Sequence, residues 1–171
     1  MKEDFIVPVS GLAAGKTCFS WHAGKEFFEG FDNEDIIDAG VSVSLEAEKS
    51  GREVSLDMSL EGSVTVLCDR CLGDLEIPVR ERRLFKVGYG DGADEGLEEG
   101  GREVLVLPSS ESVLDMSQTV YDYVCLAIPI QRTHPAGGCD PEVVRFLGQE
   151  KAEDVPSDSP FAALGDLFGK K

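Results

Sequence analysis

Two cysteines, Cys68 and Cys71, are the residues whose type and spacing are best suited to chemistry. They lie in the stretch VTVLCDRCLGDLEI, residues 64–77, where they interrupt the alternating pattern of two strands. Such a pair on a tight turn can supply half of a tetrahedral zinc site. His134 and Cys139, in the sequence HPAGGC, can supply the other half. These four residues predict one structural zinc ion that pins the helical part of the chain to the turn.

Two other interpretations of the cysteines stay open at this stage. Cys68 and Cys71 can be reduced thiols on a tight turn, with Cys139 half-buried before a helix. Redox catalysis is disfavoured, because a redox Cys-x-x-Cys pair opens a helix in a βαβ unit, whereas this pair joins two strands. The sequence has two histidines and shows no catalytic triad, phosphate loop or paired-carboxylate signature. We therefore expect no enzymatic activity.

The elements around the turn read as strands. Residues 41–47 and 54–60 alternate apolar and polar side chains about a Ser50-Gly51 turn, which is typical of a hairpin with one buried face. A straight strand from 54 to 67 would be unusually long, so Gly62 is interpreted as a bend or bulge. The residues predicted to face the core are Val43, Leu45, Leu56, Met58, Val64, Val66, Ile77 and Val79.

The remaining pattern predicts the fold class. Short strands are expected at 16–22 and 104–108, and Pro78 argues that the strand after the cysteines lies at an edge. A change to helical periodicity predicts a helix at 117–128, and Asp140-Pro141 opens a short one that ends at Leu147. The fold is thus α+β: an antiparallel β-meander or partly closed barrel followed by C-terminal helices.

The chain is expected to form one domain with an appendage. Residues 1–148 make the α+β domain, and the glycine-rich and acid-rich segment 88–103 is a flexible loop within it. Residues 149–171 form a polar linker and a short amphipathic helix. The apolar side chains of that helix, Phe161, Leu164 and Leu167, are predicted to contact a partner.

The net charge of −17 limits the possible partners. A chain this acidic repels nucleic acid unless its cations are gathered on one surface, and it suits a basic protein partner. No signal peptide or membrane span is read in the sequence, and five cysteines is an odd number, so a reducing cytoplasm is expected.

One stretch concentrates positive charge. Residues 80–86, RERRLFK, hold four of the 16 lysines and arginines, and Arg70 lies close by at the turn. A strip of this kind can touch a few phosphates, or it can only neutralise the neighbouring acidic surface. The predicted contact residues are Arg70, Arg80, Arg82, Arg83 and Lys86.

Three blocks in this order carry a family resemblance: VTVLCDRCLGDLEIPV, then VLDMSQTVYDYVCLAIPIQRTHPAGGC, then SPFAALGDLF. The chain resembles the YceD family from about residue 40 onward. These small bacterial and plastid proteins are associated with the accumulation and processing of large-subunit ribosomal RNA. The cysteine turn of the family maps to Cys68, Arg70, Cys71 and Leu72, and its tail maps to Pro160, Phe161, Ala162, Leu164 and Leu167.

The resemblance implies a non-enzymatic factor in large ribosomal subunit biogenesis. Its partner would be a large-subunit precursor, through ribosomal RNA, a ribosomal protein or both, with no membrane and no small-molecule substrate. An acidic adaptor or chaperone for a basic ribosomal protein is the alternative from another class. A zinc-dependent or redox enzyme ranks last.

Overall fold

The computed structural model describes residues 5–90 and 101–147, and the structural statements below concern that part of the chain. Its strands and helices, in chain order, are β1 (Ile6–Val7), β2 (Gly15–Gly24), α1 (Lys25–Glu29), β3 (Ile36–Ser50), β4 (Glu53–Leu67), β5 (Asp74–Tyr89), β6 (Glu103–Leu107), β7 (Leu114–Asp115), α2 (Ser117–Ala127) and α3 (Pro141–Leu147).

The fold is built on a long hairpin of β3 and β4. The two strands pair from Ser50 and Glu53 outward, and Gly51 makes the turn with a φ of 62°, a conformation that favours glycine. On either side β2 pairs with β3 and β5 pairs with β4, all antiparallel. The predicted hairpin is therefore confirmed. The described sheet is open, in the order β2-β3-β4-β5-β6, and the α+β prediction is confirmed.

One face of this sheet forms the core against the helices. All eight residues predicted to face the core are buried. Phe28 of α1 and Val120 and Val124 of α2 are buried in the same cluster. Burying each apolar side chain of this size contributes about 1.5–3 kcal/mol, so the alternating strand positions contribute strongly to stability.

The interpretation of Gly62 was wrong. β4 runs unbroken through it, Gly62 pairs in register with Val41, and the register shift of this hairpin lies between Ile36 and Asp38 instead. A side chain does not fit at position 62, because the backbone of the neighbouring strand β3 comes very close. A Cβ added to Gly62 would lie 2.0 Å from the carbonyl oxygen of Gly40.

The last strand of the sheet was only partly predicted from the sequence. β6 confirms the short strand predicted at 104–108, but it pairs parallel to β5, so the sheet is mixed. β6 pairs only with residues 85–89 of β5. Among the described residues, the part of β5 that contains Pro78 therefore pairs with β4 alone. The segment between β5 and β6 is shorter than the acidic loop predicted at 88–103, because β5 extends to Tyr89 and β6 begins at Glu103.

The helices follow the sequence closely. Ser117 begins α2, where its N–H donates to the Asp115 carboxylate at 2.8 Å. α3 begins at Pro141, and the Asp140 carboxylate accepts from the N–H of Glu142 at 2.8 Å. In the described part of the chain, no helix is long and apolar enough to cross a membrane.

Some predictions fall on residues that are not described. These are the interior of the acidic loop, residues 91–100, and the whole C-terminal segment from residue 148. The predicted partner contacts at Phe161, Leu164 and Leu167 therefore stay predictions.

The close approach at Gly62 gives a sharp stability test. We expect Gly62→Ala to lower the free energy of unfolding by about 2 kcal/mol or more, because the added methyl group must displace the Gly40 backbone. Gly40→Ala is the matched control, since its Cβ would meet nothing within 4 Å, and we expect a change within about 0.5 kcal/mol. Chemical denaturation measures both, and equal losses would contradict the assignment.

Candidate metal centre

The first half of the candidate site is the turn between β4 and β5. The N–H of Cys68 donates to the carbonyl of Gly73, and the N–H of Leu72 donates to the carbonyl of Cys68, both at 2.9 Å. Leu72 has a φ of 58° and is 70% exposed. An exposed leucine in this strained conformation shows that the tight path of the turn is maintained despite its cost. That path turns both cysteine side chains toward one point.

The second half comes from the segment between α2 and α3. Asp69, inside the turn, binds this segment: its carboxylate accepts from the Arg132 N–H at 2.8 Å and lies 3.3 Å from the Arg132 guanidinium. The Asp69 N–H donates to the Arg132 carbonyl at 2.6 Å in return. A turn at Gly137, with a φ of 84°, then returns the chain so that His134 and Cys139 face the cysteine turn.

The four donor atoms are close enough together to hold one metal ion. All of them, from Cys68, Cys71, His134 and Cys139, lie within 4.8 Å of one another. Sulfur atoms of Cys68 and Cys139 are 3.9 Å apart, and His134 Nδ1 is 3.4 Å and 3.7 Å from the sulfurs of Cys71 and Cys139. Tetrahedral zinc with ordinary bond lengths would place two sulfurs about 3.8 Å apart and sulfur and nitrogen about 3.6 Å apart.

The imidazole of His134 is oriented as a metal ligand. Its Nε2 lies 3.0 Å from the backbone carbonyl oxygen of Asp74, at the start of β5. A carbonyl only accepts hydrogen bonds, so Nε2 carries the proton and donates it. In the neutral imidazole Nδ1 then carries the lone pair, which is directed toward the sulfurs of Cys71 and Cys139. This arrangement, with one ring nitrogen held by a backbone carbonyl, is the usual support of a metal-binding histidine.

The surroundings of the turn cysteines favour their thiolate forms. Burial raises the pKa of Cys68, but the backbone N–H groups of Cys71, Arg70 and His134 outweigh this effect and lower the pKa to about 6. The pKa of Cys71 is also lowered, mainly by the N–H groups of Gly73 and Asp140. Burial raises the pKa of Cys139. Thiolate is the form that binds a metal, and N–H groups directed at sulfur are well placed to stabilise it.

The other two cysteines belong elsewhere. Cys18 is exposed on β2, and Cys125 is half-buried in α2, 3.8 Å from the side-chain nitrogen of Asn33. Burial raises the pKa of Cys125, as expected for a small apolar residue.

The predicted basic strip is not one surface. Arg80, Arg82 and Lys86 lie on the outer face of β5, whereas Arg83 pairs with Met58 in register and lies over the ring of Tyr123 at 4.9 Å. Most of these cations are engaged by acids. Arg82 binds Asp57 through two bonds of 2.9 Å and 2.6 Å, Arg83 contacts Glu81 at 3.1 Å, and Lys86 contacts Glu53 at 3.8 Å.

Two of the predicted contact residues are in a different situation. Arg80 is exposed, and no ion pair involves it among the described residues. Arg70 is at the tip of the cysteine turn, with one guanidinium nitrogen 3.9 Å from the sulfur of Cys139. Six residues of strand separate the turn from Arg80, which is about 20 Å, so the two cations do not form a continuous patch.

Sequence reasoning missed the residues that join the two halves of the site. Asp69 and Arg132 are 63 positions apart, and the sequence around either residue does not indicate a contact with the other. The carbonyl of Asp74 was equally invisible, because a backbone group leaves no sequence signal. A polar residue inside a Cys-x-x-Cys turn was the one available hint.

A mixed sheet with three α-helices and a four-donor cluster at one hairpin tip defines, in the described part of the chain, a small α+β domain with a candidate metal site. A family model described as "Large ribosomal RNA subunit accumulation protein YceD" matches residues 56–168. The chain belongs to the YceD family. Searches of curated proteins and of solved structures find no match.

Proposed function

We propose that this protein is a non-enzymatic factor in large ribosomal subunit biogenesis that supports the accumulation or processing of large-subunit ribosomal RNA. The observation that carries the proposal is membership of the YceD family, whose match spans both the cysteine turn and the helices. The family name states the process and leaves the chemistry open. One of the two histidines is directed at sulfur and a carbonyl, which supports a structural role for it.

The role assigned to the four-donor cluster is structural. Cys68, Cys71, His134 and Cys139 would hold one zinc ion, and all four positions of a tetrahedral ion would then be filled by protein. A closed set of this kind leaves no position for water or substrate, which distinguishes a structural from a catalytic zinc. What zinc would supply here is a covalent-strength link between the hairpin and the segment after α2.

The same residues support a proposal for the compartment. All five cysteines are free thiols, and three of them form the cluster. A thiolate zinc site and unpaired cysteines suit a reducing environment. We place the protein in the cytoplasm, where ribosomal subunits are assembled.

The ion pairs of β5 favour a second candidate for its direct contact. Arg82 and Arg83 are bound to acids of the same sheet, so they would have to break those contacts to bind phosphate. The chain as a whole keeps its net charge of −17. An adaptor or chaperone for a basic ribosomal protein uses that charge, whereas direct RNA binding would depend on Arg70 and Arg80.

Metal analysis tests the cluster. We expect about one zinc per chain in protein purified without chelator, and little zinc in Cys68→Ser or Cys139→Ser, with a lower melting temperature for both variants. Cys18→Ser is the control, because this exposed thiol lies outside the cluster. Less than about 0.2 zinc per wild-type chain, with all five thiols titratable in the folded protein, would contradict the site.

Ribosomal RNA levels test the process. We expect cells that lack the protein to contain less large-subunit relative to small-subunit ribosomal RNA, and the wild-type gene to restore the ratio. A Cys68→Ser/Cys71→Ser variant should restore it poorly, because its hairpin tip is no longer fastened, whereas Cys18→Ser should restore it fully. An unchanged ratio in cells without the protein would reject the proposed process.

Nuclease treatment separates the two kinds of contact. We expect a tagged chain to retain a basic ribosomal protein after nuclease, and Arg70→Glu/Arg80→Glu to leave that association intact. The physical reason is that an acidic surface contacts a basic protein without an RNA bridge. Release by nuclease, together with loss of binding in the double variant, would instead establish an RNA contact at these two arginines.

A further inference from the structure

An open groove lies between β6 and α2, outside the metal centre. Its volume is about 630 Å³. The strand forms one wall, and the exposed side of the helix forms the other. Much of the floor is apolar and at least partly exposed, and Leu126 on the helix is 74% exposed. The apolar lining residues are Val104, Leu105, Val106, Pro108, Leu114 and Leu126.

The charged residues that line this groove have one sign. Glu103, Glu111, Asp115 and Asp122 line it, and no lysine, arginine or histidine is among the described lining residues. Asp122 is exposed and accepts a bond from Gln118 at 2.8 Å, while the exposed Glu111 carboxylate has no partner among the described residues. An apolar floor bordered by carboxylates is complementary to a segment that carries both apolar and cationic side chains.

The acids on the outer face of the sheet are not equivalent to these. A depression of about 890 Å³ there is lined by acids together with Arg80 and Arg82, and its Asp57 is already bound to Arg82. The pKa of Asp57 is lowered by that same arginine. Positive charge is thus supplied internally on the outer face, whereas the groove has no cation of its own among the described lining residues.

The strand wall offers backbone groups as well. β6 is the last strand of the described sheet and pairs with β5 on one side only. N–H and C=O groups on its outer edge can therefore accept an added strand, which is one of the general modes of peptide recognition. The helix is fixed beside this edge, because the Tyr123 hydroxyl donates to the Glu103 carboxylate.

We propose that this groove binds an extended protein segment in which cationic and apolar residues alternate. The segment adds to β6 as a strand, places its apolar side chains on the groove floor, and directs lysine or arginine toward the four carboxylates. RNA and a second copy of this acidic chain are both repelled by the same charges. The inference deepens the proposed function by naming the partner class and its site.

A synthetic peptide tests the groove with the full chain. The probe is a fluorescent peptide of about seven alternating lysine and valine residues, which spans about 23 Å when extended. We expect saturable binding by fluorescence anisotropy that weakens as salt screens the carboxylates. A peptide with glycine in place of valine should bind more weakly, and one with glutamate in place of lysine should not bind.

Matched variants test where on the protein the peptide binds. Glu111→Lys/Asp122→Lys reverses two exposed groove carboxylates and should weaken binding about tenfold. Glu48→Lys/Glu76→Lys is the control, with the same net charge and both substitutions on exposed strand positions of the outer face, and should retain near wild-type affinity. Leu126→Ser should weaken binding about fivefold, because an exposed leucine loses its contact with the peptide.

Several results would overturn the proposal. Equal loss of affinity in the two double variants would show that net charge alone explains the effect. Equal binding of the glycine peptide would show that the apolar floor does not contribute to binding. Binding at this groove by single-stranded RNA, by a peptide of residues 159–171 or by a second copy of the chain, abolished by Glu111→Lys/Asp122→Lys, would assign a different occupant. The measurement is independent of ribosomal RNA levels, so this inference and the proposed function can fail separately.

Discussion

The constraint on which the rest depends is the meeting of two chain segments at one hairpin tip. Residues 68–73 leave the sheet in a turn that directs two cysteines toward one point, and residues 132–139 return from α2 to place a histidine and a third cysteine beside them. Neither segment has a sizeable apolar core of its own. Asp69 and Arg132 contribute hydrogen bonds that are partly exposed, which are worth little individually. A zinc ion at the four donors would supply the strong link that those polar contacts lack.

The sheet explains why the tip is a suitable place for such a link. β3 and β4 are 15 residues each, far beyond the usual strand. Their pairing continues through the close approach of Gly62 to Gly40, with one register shift between Ile36 and Asp38. Long paired strands carry the tip away from the centre of the sheet, where few neighbours can pack on it. The turn therefore needs a local fastening. The same length gives α2 a broad apolar surface, on which Val120 and Val124 are buried.

Much of this fold was predictable because its core follows a period of two. Every residue assigned to the core from alternation is buried, and the four residues of the cluster were named from type and spacing. Two kinds of information were missing. Register and strand direction are long-range properties, so neither the parallel pairing of β6 nor the true reason for Gly62 showed in the local sequence. Two of the ion pairs are also long-range: Arg82 and Lys86 of RERRLFK contact Asp57 and Glu53 of β4. The pair of Arg83 with Glu81, by contrast, lies within the stretch itself.

α2 connects the two sites. Ser117, Val120 and Val124 of this helix are buried, and Tyr121, Tyr123 and Cys125 are partly buried against the same core. Its start is fixed by Asp115, and its end continues within a few residues into Arg132 and His134 at the hairpin tip. The opposite side of the same helix carries Gln118, Asp122 and Leu126, which form a wall of the groove. The proposed metal site and the proposed protein-binding groove are therefore connected through one short helix.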